Sequence, residues 1–202
     1  MSFTENKQLK IGLVIMASGL SRRFGRNKLI EPLCGKPLIE WITDKSEGLF
    51  DRRIVVTRSE AVRDFCTENG IDCIFHELPH RNDTVRLGLE AIMADVDYCF
   101  FSPADQPLIK KESLEALVKA ARDNTDKIVR PRFKENVGSP MGFPRRFFEE
   151  LCRLPESKGG NHIAKGNPEA VFAVDVQNEY ELIDIDTVSD LETVRELIAH
   201  TL

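Results

Sequence analysis

The chain has 202 residues, a length typical of one α/β domain. Hydrophobic residues make up 42% and charged residues 30%, which excludes a largely disordered chain. The net charge of -5 argues against a nucleic-acid-binding surface, although a local basic pocket for a phosphorylated small molecule remains open. No apolar run is long enough to span a membrane, and the N-terminus lacks the apolar core of a secretory signal.

The five cysteines are scattered, odd in number and include no CxxC pair. They are Cys34, Cys66, Cys73, Cys99 and Cys152. This pattern argues against a disulfide framework and against a structural zinc site, and it favours a cytoplasmic location. We expect these residues to be small apolar side chains in the core.

Strand-like and helix-like segments alternate through residue 130. The predicted strands are 10–17, 52–57, 71–77, 96–102 and 126–131. The predicted helices are a segment after Pro37 and the segments 59–70, 82–94 and 110–124. This alternation predicts a parallel sheet with helices on both faces.

Beyond residue 130 the pattern breaks into shorter pieces. They comprise an irregular stretch at 132–144, a helical segment at 147–154, the glycine pair at 159–160 and a terminal helix at 189–200 capped by Ser189. We interpret residues 1–202 as a single domain with an elaborated second half. About 10–130 would form one half and about 131–202 the other.

The loop after the first strand combines glycines with a cluster of cations. Four basic residues lie within seven positions: Arg22, Arg23, Arg26 and Lys28. A glycine-bearing turn at the carboxyl end of a parallel strand presents backbone N–H groups where phosphates bind. The loop matches neither the dinucleotide fingerprint nor the P-loop. It suits a triphosphate, and the alternative is an ordinary solvated loop.

Acidic residues follow two other predicted strands. Asp105 comes just after the strand at 96–102, where a carboxylate could hold Mg²⁺ against phosphate oxygens. Residues 183–187 alternate as a strand would, so Asp184 and Asp186 would share one face. A cation between these carboxylates and Asp105 would relieve their repulsion. The alternatives are a turn role for Asp105 and solvent exposure for the other two.

Four ordered segments together resemble nucleotidyltransferases of the molybdenum cofactor type. They are Ala17–Lys28 continuing into Pro32–Leu38, then Asp105–Leu108, then Gly138–Phe143, and then Asp184–Thr187. The resemblance runs from about residue 10 to 195. It implies a Rossmann-like, three-layer αβα nucleotidyltransferase fold with a mostly parallel central sheet.

The resemblance also implies a role for each matching residue. The catalytic candidates are Lys28, Arg23 and Asp105. The candidates for nucleotide binding are Ala17, Ser18, Gly19, Ser21, Gly25, Lys28, Asp83 and Thr84. The candidates for acceptor binding are Gly138, Pro140, Gly160, Asn161 and Asp184. The candidate metal ligands are Asp105 and Asp186, which would hold Mg²⁺ or Mn²⁺.

Departures from the family pattern bear on the two substrates. Ser18 stands where cytidylyl enzymes commonly have Ala and guanylyl enzymes have Gly, and its side chain would narrow the base pocket in favour of cytosine. Residues 157–162 lack the usual Asp and Arg, and Val188 replaces a Pro.

We therefore expect transfer of CMP from CTP to the terminal phosphate of a molybdopterin-type cofactor. A molybdenum hydroxylase would receive the product. The alternatives are the guanylyl branch, a sugar 1-phosphate or other phosphorylated alcohol as acceptor, and a non-catalytic nucleotide-binding protein. A phosphate monoester is largely dianionic at pH 7, so the attack needs no general base.

Overall fold

The computed structural model describes residues 8–21 and 23–201. The strands are β1 (Ile11–Ala17), β2 (Pro32–Leu33), β3 (Lys36–Pro37), β4 (Arg52–Thr57), β5 (Cys73–Phe75), β6 (Tyr98–Pro103), β7 (Ile128–Phe133), β8 (Asn136–Val137), β9 (Met141–Pro144) and β10 (Val171–Asp175). The helices are α1 (Leu38–Lys45), α2 (Glu60–Glu68), α3 (Arg81–Ile92), α4 (Lys111–Asp123), α5 (Phe148–Cys152), α6 (Gly160–Gly166) and α7 (Val188–Thr201).

The central sheet has the strand order β10-β7-β9-β6-β1-β4-β5, with β8 paired to β7. β1 runs parallel to both of its neighbours, β4 and β6. Only β8 and β9 pair antiparallel within this sheet. The predicted mostly parallel α/β sheet is therefore confirmed. Across the described residues, the helices are too short or too polar to cross a bilayer.

Side chains of β1 alternate between two hydrophobic cores because successive residues of a strand point to opposite faces. Ile11, Leu13 and Ile15 pack with the buried residues of α1, α2, α4 and α7. Val14 packs on the other face with those of α3, α5 and α6. Helices thus cover both faces of the sheet, and the predicted three-layer arrangement is confirmed.

The strand predicted at 183–187 is wrong, because this segment has no ladder partner among the described residues. Its backbone groups bond elsewhere. The amide of Ile185 donates to the carbonyl oxygen of Asp105 at 3.0 Å. The amides of Asp186 and Thr187 both donate to the Asp190 carboxylate, at 3.0 and 2.7 Å.

The cap predicted for the terminal helix is also wrong. α7 begins one residue before Ser189. The Thr187 hydroxyl accepts from the amide of Asp190 at 3.2 Å, while the Asp190 side chain accepts from that of Thr187. Such a reciprocal pair of bonds is the capping box, which satisfies free amides at a helix start.

Helix α3 lies unusually close to the sheet at Gly88. A Cβ atom on Gly88 would collide with Val14 Cγ1 and reach Val56 Cγ2 at 3.0 Å. On the strand side, a Cβ on Gly12 would lie 2.7 Å from Ile92 Cδ1. The two glycines let α3 approach β1 closely, which positions the start of α3 at the edge of the sheet.

We predict that Gly88→Ala lowers the free energy of unfolding by about 2 kcal/mol, because the added methyl group overpacks the core. Gly166→Ala is the matched control, since nothing lies within 4 Å of a Cβ built there. Urea unfolding of both variants measures the effect. Equal stability of the two variants would contradict this account of the packing.

Candidate active site

A cleft of about 530 Å³ opens at the carboxyl ends of β1 and β6. These strands are parallel neighbours, so the loops that follow them meet at one edge of the sheet. The cleft is lined by nine of the residues predicted for the site: Ser18, Gly19, Ser21, Arg23, Lys28, Thr84, Asp105, Asp184 and Asp186. The structure thus brings the three acidic residues and the basic loop together.

Ser21 organises the loop that follows β1. It adopts a left-handed backbone with φ of 47°, and its carbonyl accepts from the amides of Phe24 and Gly25 at 2.9 and 3.1 Å. Its hydroxyl accepts from the amide of Lys28 at 3.3 Å. Gly25 also has a left-handed backbone, with φ of 80°. These bonds bend the loop so that Lys28 enters the cleft; Arg22 lies outside the described residues.

Lys28 is the centre of the site. Its ammonium lies 2.6 Å from Asp105 Oδ2 and 3.2 Å from Asp186 Oδ1, and it donates to the carbonyl oxygen of Ile185. Its side chain is 8% exposed, so the charge is held by protein groups rather than by water. Burial alone would lower the pKa of Lys28, but the Asp105 and Asp186 carboxylates outweigh it and raise that pKa. Lys28 is therefore a permanent cation.

Asp186 bridges two cations. One carboxylate oxygen faces Lys28, and the other accepts from the exposed Arg23 guanidinium at 2.9 Å. The capping box of α7 holds the backbone of Asp186 in place. Arg23 therefore lies beside the cluster at the mouth of the cleft.

Asp184 has no ion-pair partner within the described part of the chain. Burial raises the pKa of its carboxyl group, and the neighbouring Asp105 and Asp186 carboxylates raise that pKa further. A hydrogen bond from Gln106 acts in the opposite direction. The described lining of the cleft thus combines three carboxylates with four basic side chains, those of Lys28, Arg23, Arg58 and Arg81.

The grouping of carboxylates is compatible with a divalent cation held partly by substrate. No three His, Cys, Asp or Glu side chains in the described ranges are close enough to form a complete metal site. Mg²⁺ usually takes one or two carboxylates and completes its shell with water and substrate phosphates. The carboxylates of Asp105 and Asp186 match that pattern.

Ser18 is bonded to the sheet rather than left free. Its hydroxyl donates to the carbonyl oxygen of Val56 at 3.1 Å and lies 2.9 Å from Nε2 of His76. Burial lowers the pKa of His76, with the Arg58 charge as a further cause, so the imidazole stays neutral. Because the Ser18 hydroxyl donates to Val56, we infer that His76 donates from Nε2.

Thr84 supplies a polar atom with no protein partner. It is 2% exposed, and its hydroxyl has no hydrogen-bond partner within the described structure although the residue lines the cleft. The adjacent Asp83 does not line the cleft. Its carboxylate accepts from the amide of His80 at 3.1 Å and pairs with Arg86 at 3.3 Å. Ala17 and Gly25 also lie outside the lining of the cleft.

A second cleft of about 300 Å³ adjoins the first. Gly160 and Asn161 line it, as does Ser139, which lies between the predicted Gly138 and Pro140. Gly138 packs instead against Leu182, and Pro140 is buried. Asp184, predicted on the acceptor side, lines the first cleft.

Several cleft residues were not predicted from the sequence. Arg58 and Arg81 line the first cleft, and Lys158 and Lys165 line the second. Arg58 follows β4 directly, so the rule that sites gather at the carboxyl ends of parallel strands could have found it. No local pattern marks the other three.

The sequence comparison places the chain in a known family. A family model described as "MobA-like NTP transferase domain" matches residues 13–171. The chain belongs to this family.

Two relatives carry the name "Probable molybdenum cofactor guanylyltransferase". The one from Natranaerobius thermophilus is 27% identical over 123 residues, which cover 60% of each chain. The one from Bacillus licheniformis is 30% identical over 119 residues, covering 57% of this chain and 59% of the relative. The match therefore spans about 60% of the length of these relatives.

A solved structure, a nucleotidyl transferase from Methanothermobacter, superposes with a TM-score of 0.81 at 20% identity. The superposition covers 96% of this chain and 99% of that one. The predicted nucleotidyltransferase fold is confirmed.

Lys45 is hydrogen-bonded to the segment that follows Asp105. Its ammonium donates to the carbonyl oxygens of Pro107 and Ile109, the second at 2.9 Å. Burial lowers the pKa of Lys45 to about 8, and the nearby Lys36 charge acts in the same direction. The last residue of α1 is thereby tied to the segment that carries Asp105.

We predict that the stability contributed by Lys45 rises between pH 8 and its ordinary pKa of 10.5. In this window the unfolded chain still holds the proton that the folded chain has released, so raising the pH favours the fold by up to about 3 kcal/mol. Chemical unfolding of the wild type and of Lys45→Met at several pH values measures the difference. Parallel pH curves for the two proteins would contradict the lowered pKa.

Proposed function

We propose that this chain transfers a guanylyl group from GTP to the phosphate of a molybdenum cofactor-type pterin and releases pyrophosphate. The observation that carries the proposal is the cluster of Lys28, Asp105 and Asp186 at the end of the basic loop. It combines fixed positive charge with carboxylates suited to a metal, which is what phosphoryl transfer requires.

The nucleotide would lie in the first cleft, with its phosphates against the loop after β1. Lys28 and Arg23 would offset the phosphate charge, and Gly19 leaves open space for close approach, since nothing lies within 4 Å of a Cβ built there. Gly25 would act indirectly by allowing the loop to bend. Nucleotide binding by Ala17, Ser18 and Ser21 remains a prediction.

Asp105 and Asp186 would hold Mg²⁺ or Mn²⁺, with Asp184 beside them. The ion would supply positive charge that neutralises phosphate oxygens during transfer. Lys28, which pairs with both carboxylates, would keep them in position and would offset phosphate charge beside the ion. The chain's own residues then provide alignment and charge, and none needs to remove a proton.

The base is the point at which we depart from the sequence-based expectation of CTP. Relatives named guanylyltransferase favour the guanylyl alternative. The bonds of Ser18 to Val56 and His76 also weaken the argument that its hydroxyl narrows the base pocket. Thr84, with its unpartnered hydroxyl, is our candidate for contact with the base.

The acceptor would occupy the second cleft. Arg81, Lys158 and Lys165 line it, and none of its described lining residues is acidic. Such a surface suits an anionic acceptor such as a phosphorylated pterin. Delivery of the finished cofactor to a molybdenum hydroxylase remains a prediction.

We predict that Lys28→Ala lowers the turnover rate about a hundredfold, since one charged contact to the transition state is worth roughly 3 kcal/mol. Asp105→Asn should cost more, because it removes both a metal ligand and the partner of Lys28. Lys119→Gln is the control, because within the described part of the chain Lys119 pairs only with the exposed Asp123 on α4. Steady-state pyrophosphate release measures the effect, and thermal unfolding of each variant detects any loss of fold. Near-normal turnover by Asp105→Asn would exclude the proposed metal site.

Nucleotide choice is tested by thermal unfolding of the protein with GTP, CTP, ATP or UTP, each with Mg²⁺. A ligand present at a hundred times its Kd adds about 2.7 kcal/mol to the free energy of unfolding. We expect GTP to give the largest rise in the midpoint and Asp105→Asn to lose that rise. A rise with CTP alone would restore the cytidylyl assignment, and no rise with any nucleotide would contradict the proposed function.

A further inference from the structure

Arg81 lies between the two clefts. It is the first residue of α3, and of the described residues only Arg81 and Met16 line both cavities. Its Nε atom lies 3.6 Å from the position that a Cβ on Gly159 would take. The guanidinium thus rests against the second cleft while its residue also borders the first.

Among the described arginines and lysines that line the first cleft, Arg81 is the one whose side chain has no protein partner. Lys28 and Arg23 are held by carboxylates, and Arg58 donates to the carbonyl oxygen of Pro79 at 3.5 Å. The side chain of Arg81 makes no ion pair or hydrogen bond with any residue in the described ranges. Its five N–H donors are therefore available to a ligand.

The charges in the two clefts suggest what Arg81 does at their boundary. The first cleft contains three carboxylates beside Lys28, Arg23 and Arg58, whereas the second contains cations and, within its described lining, no acidic side chain. An anionic acceptor that moves from the second cleft toward the nucleotide approaches those carboxylates and the nucleotide's own phosphates. A cation at the boundary offsets this repulsion where the two substrates meet.

We propose that Arg81 is a catalytic residue that binds the attacking phosphate of the acceptor and positions it next to the α-phosphate of the nucleotide. The inference rests on the proposed nucleotidyl transfer. The planar guanidinium can grip two oxygens of a phosphate at once, which leaves the third free to attack. Lys158 and Lys165 line only the second cleft, so they hold the acceptor without reaching the reaction.

The step is balanced without a proton transfer. An anionic oxygen of the acceptor phosphate forms the new bond to the α-phosphorus. The bond from that phosphorus to the oxygen bridging to the β-phosphate breaks, and its electron pair leaves with pyrophosphate. Arg81 gains and loses no proton in this step, so its effect depends on charge and geometry alone.

The first test compares Arg81→Gln and Arg81→Lys with Arg153→Gln. Arg153 is a matched control because it is exposed and pairs with Glu149 at 2.8 Å. With GTP and the phosphorylated pterin, we expect Arg81→Gln to lower kcat/KM for the acceptor about a hundredfold and to leave GTP binding unchanged. Arg81→Lys should recover part of the loss. The proposal would be overturned if Arg81→Gln weakened GTP binding as much as it lowered kcat/KM for the acceptor. It would also be overturned if Arg81→Gln left kcat/KM for the acceptor unchanged.

The second test does not depend on the identity of the acceptor. Titration calorimetry measures the binding of inorganic phosphate to the protein already loaded with GTP and Mg²⁺. We expect the wild type and Arg153→Gln to bind phosphate and Arg81→Gln to bind it at least tenfold more weakly. Equal phosphate binding by all three proteins, or none by the wild type, would overturn the role of Arg81. Arg81-dependent phosphate binding without transfer to the pterin would instead contradict the proposed acceptor and leave Arg81 as the phosphate-binding group.

Discussion

The ammonium group of Lys28 is buried among the carboxylates of Asp105 and Asp186, and three distant segments depend on it. Desolvation of a lysine is costly unless opposite charges surround it, and removing one partner of a buried ion pair leaves the other uncompensated. The loop after β1, the loop after β6 and the segment before α7 are therefore held together by the same charges that would act on a substrate. Stability and chemistry share one set of residues here.

The order of the strands in the sheet explains why these segments meet. β1 and β6 are parallel neighbours, so their carboxyl ends lie side by side and Lys28 can reach Asp105. Lys45 holds the loop that carries Asp105 by a hydrogen bond to the carbonyl oxygen of Ile109. The capping box of α7 holds Asp186 beside Lys28. The close approach of α3 at Gly88 positions Arg81 and Thr84 along the same edge. A cleft with cations on both sides and carboxylates at its centre follows from this packing.

Much of the first half could be predicted from the sequence because its signals are local. Continuous apolar runs mark buried parallel strands, so β1, β4 and β6 emerged with nearly the observed limits. The position of Asp105 directly after β6 predicted that it lies at the carboxyl edge of the sheet, and the family resemblance supplied its proposed role.

The rest depends on contacts between distant residues. Residues 183–187 alternate like a strand, yet their amides bond to Asp105 and Asp190 instead of to a neighbouring strand. The family comparison at Ser18 suggested a narrowed base pocket, and its hydrogen bond to His76, 58 positions away, could not be foreseen because it has no local signature. Arg81 was missed for the same reason, since only the folded chain shows that it borders two clefts.

The most direct measurement is product analysis after incubation of the protein with Mg²⁺, the phosphorylated pterin and each nucleoside triphosphate in turn. The account predicts pyrophosphate and a pterin–guanine dinucleotide in equal amounts from GTP, and neither product when the pterin is omitted. Absence of both products with every nucleotide, or a dinucleotide formed only from another base, would contradict it.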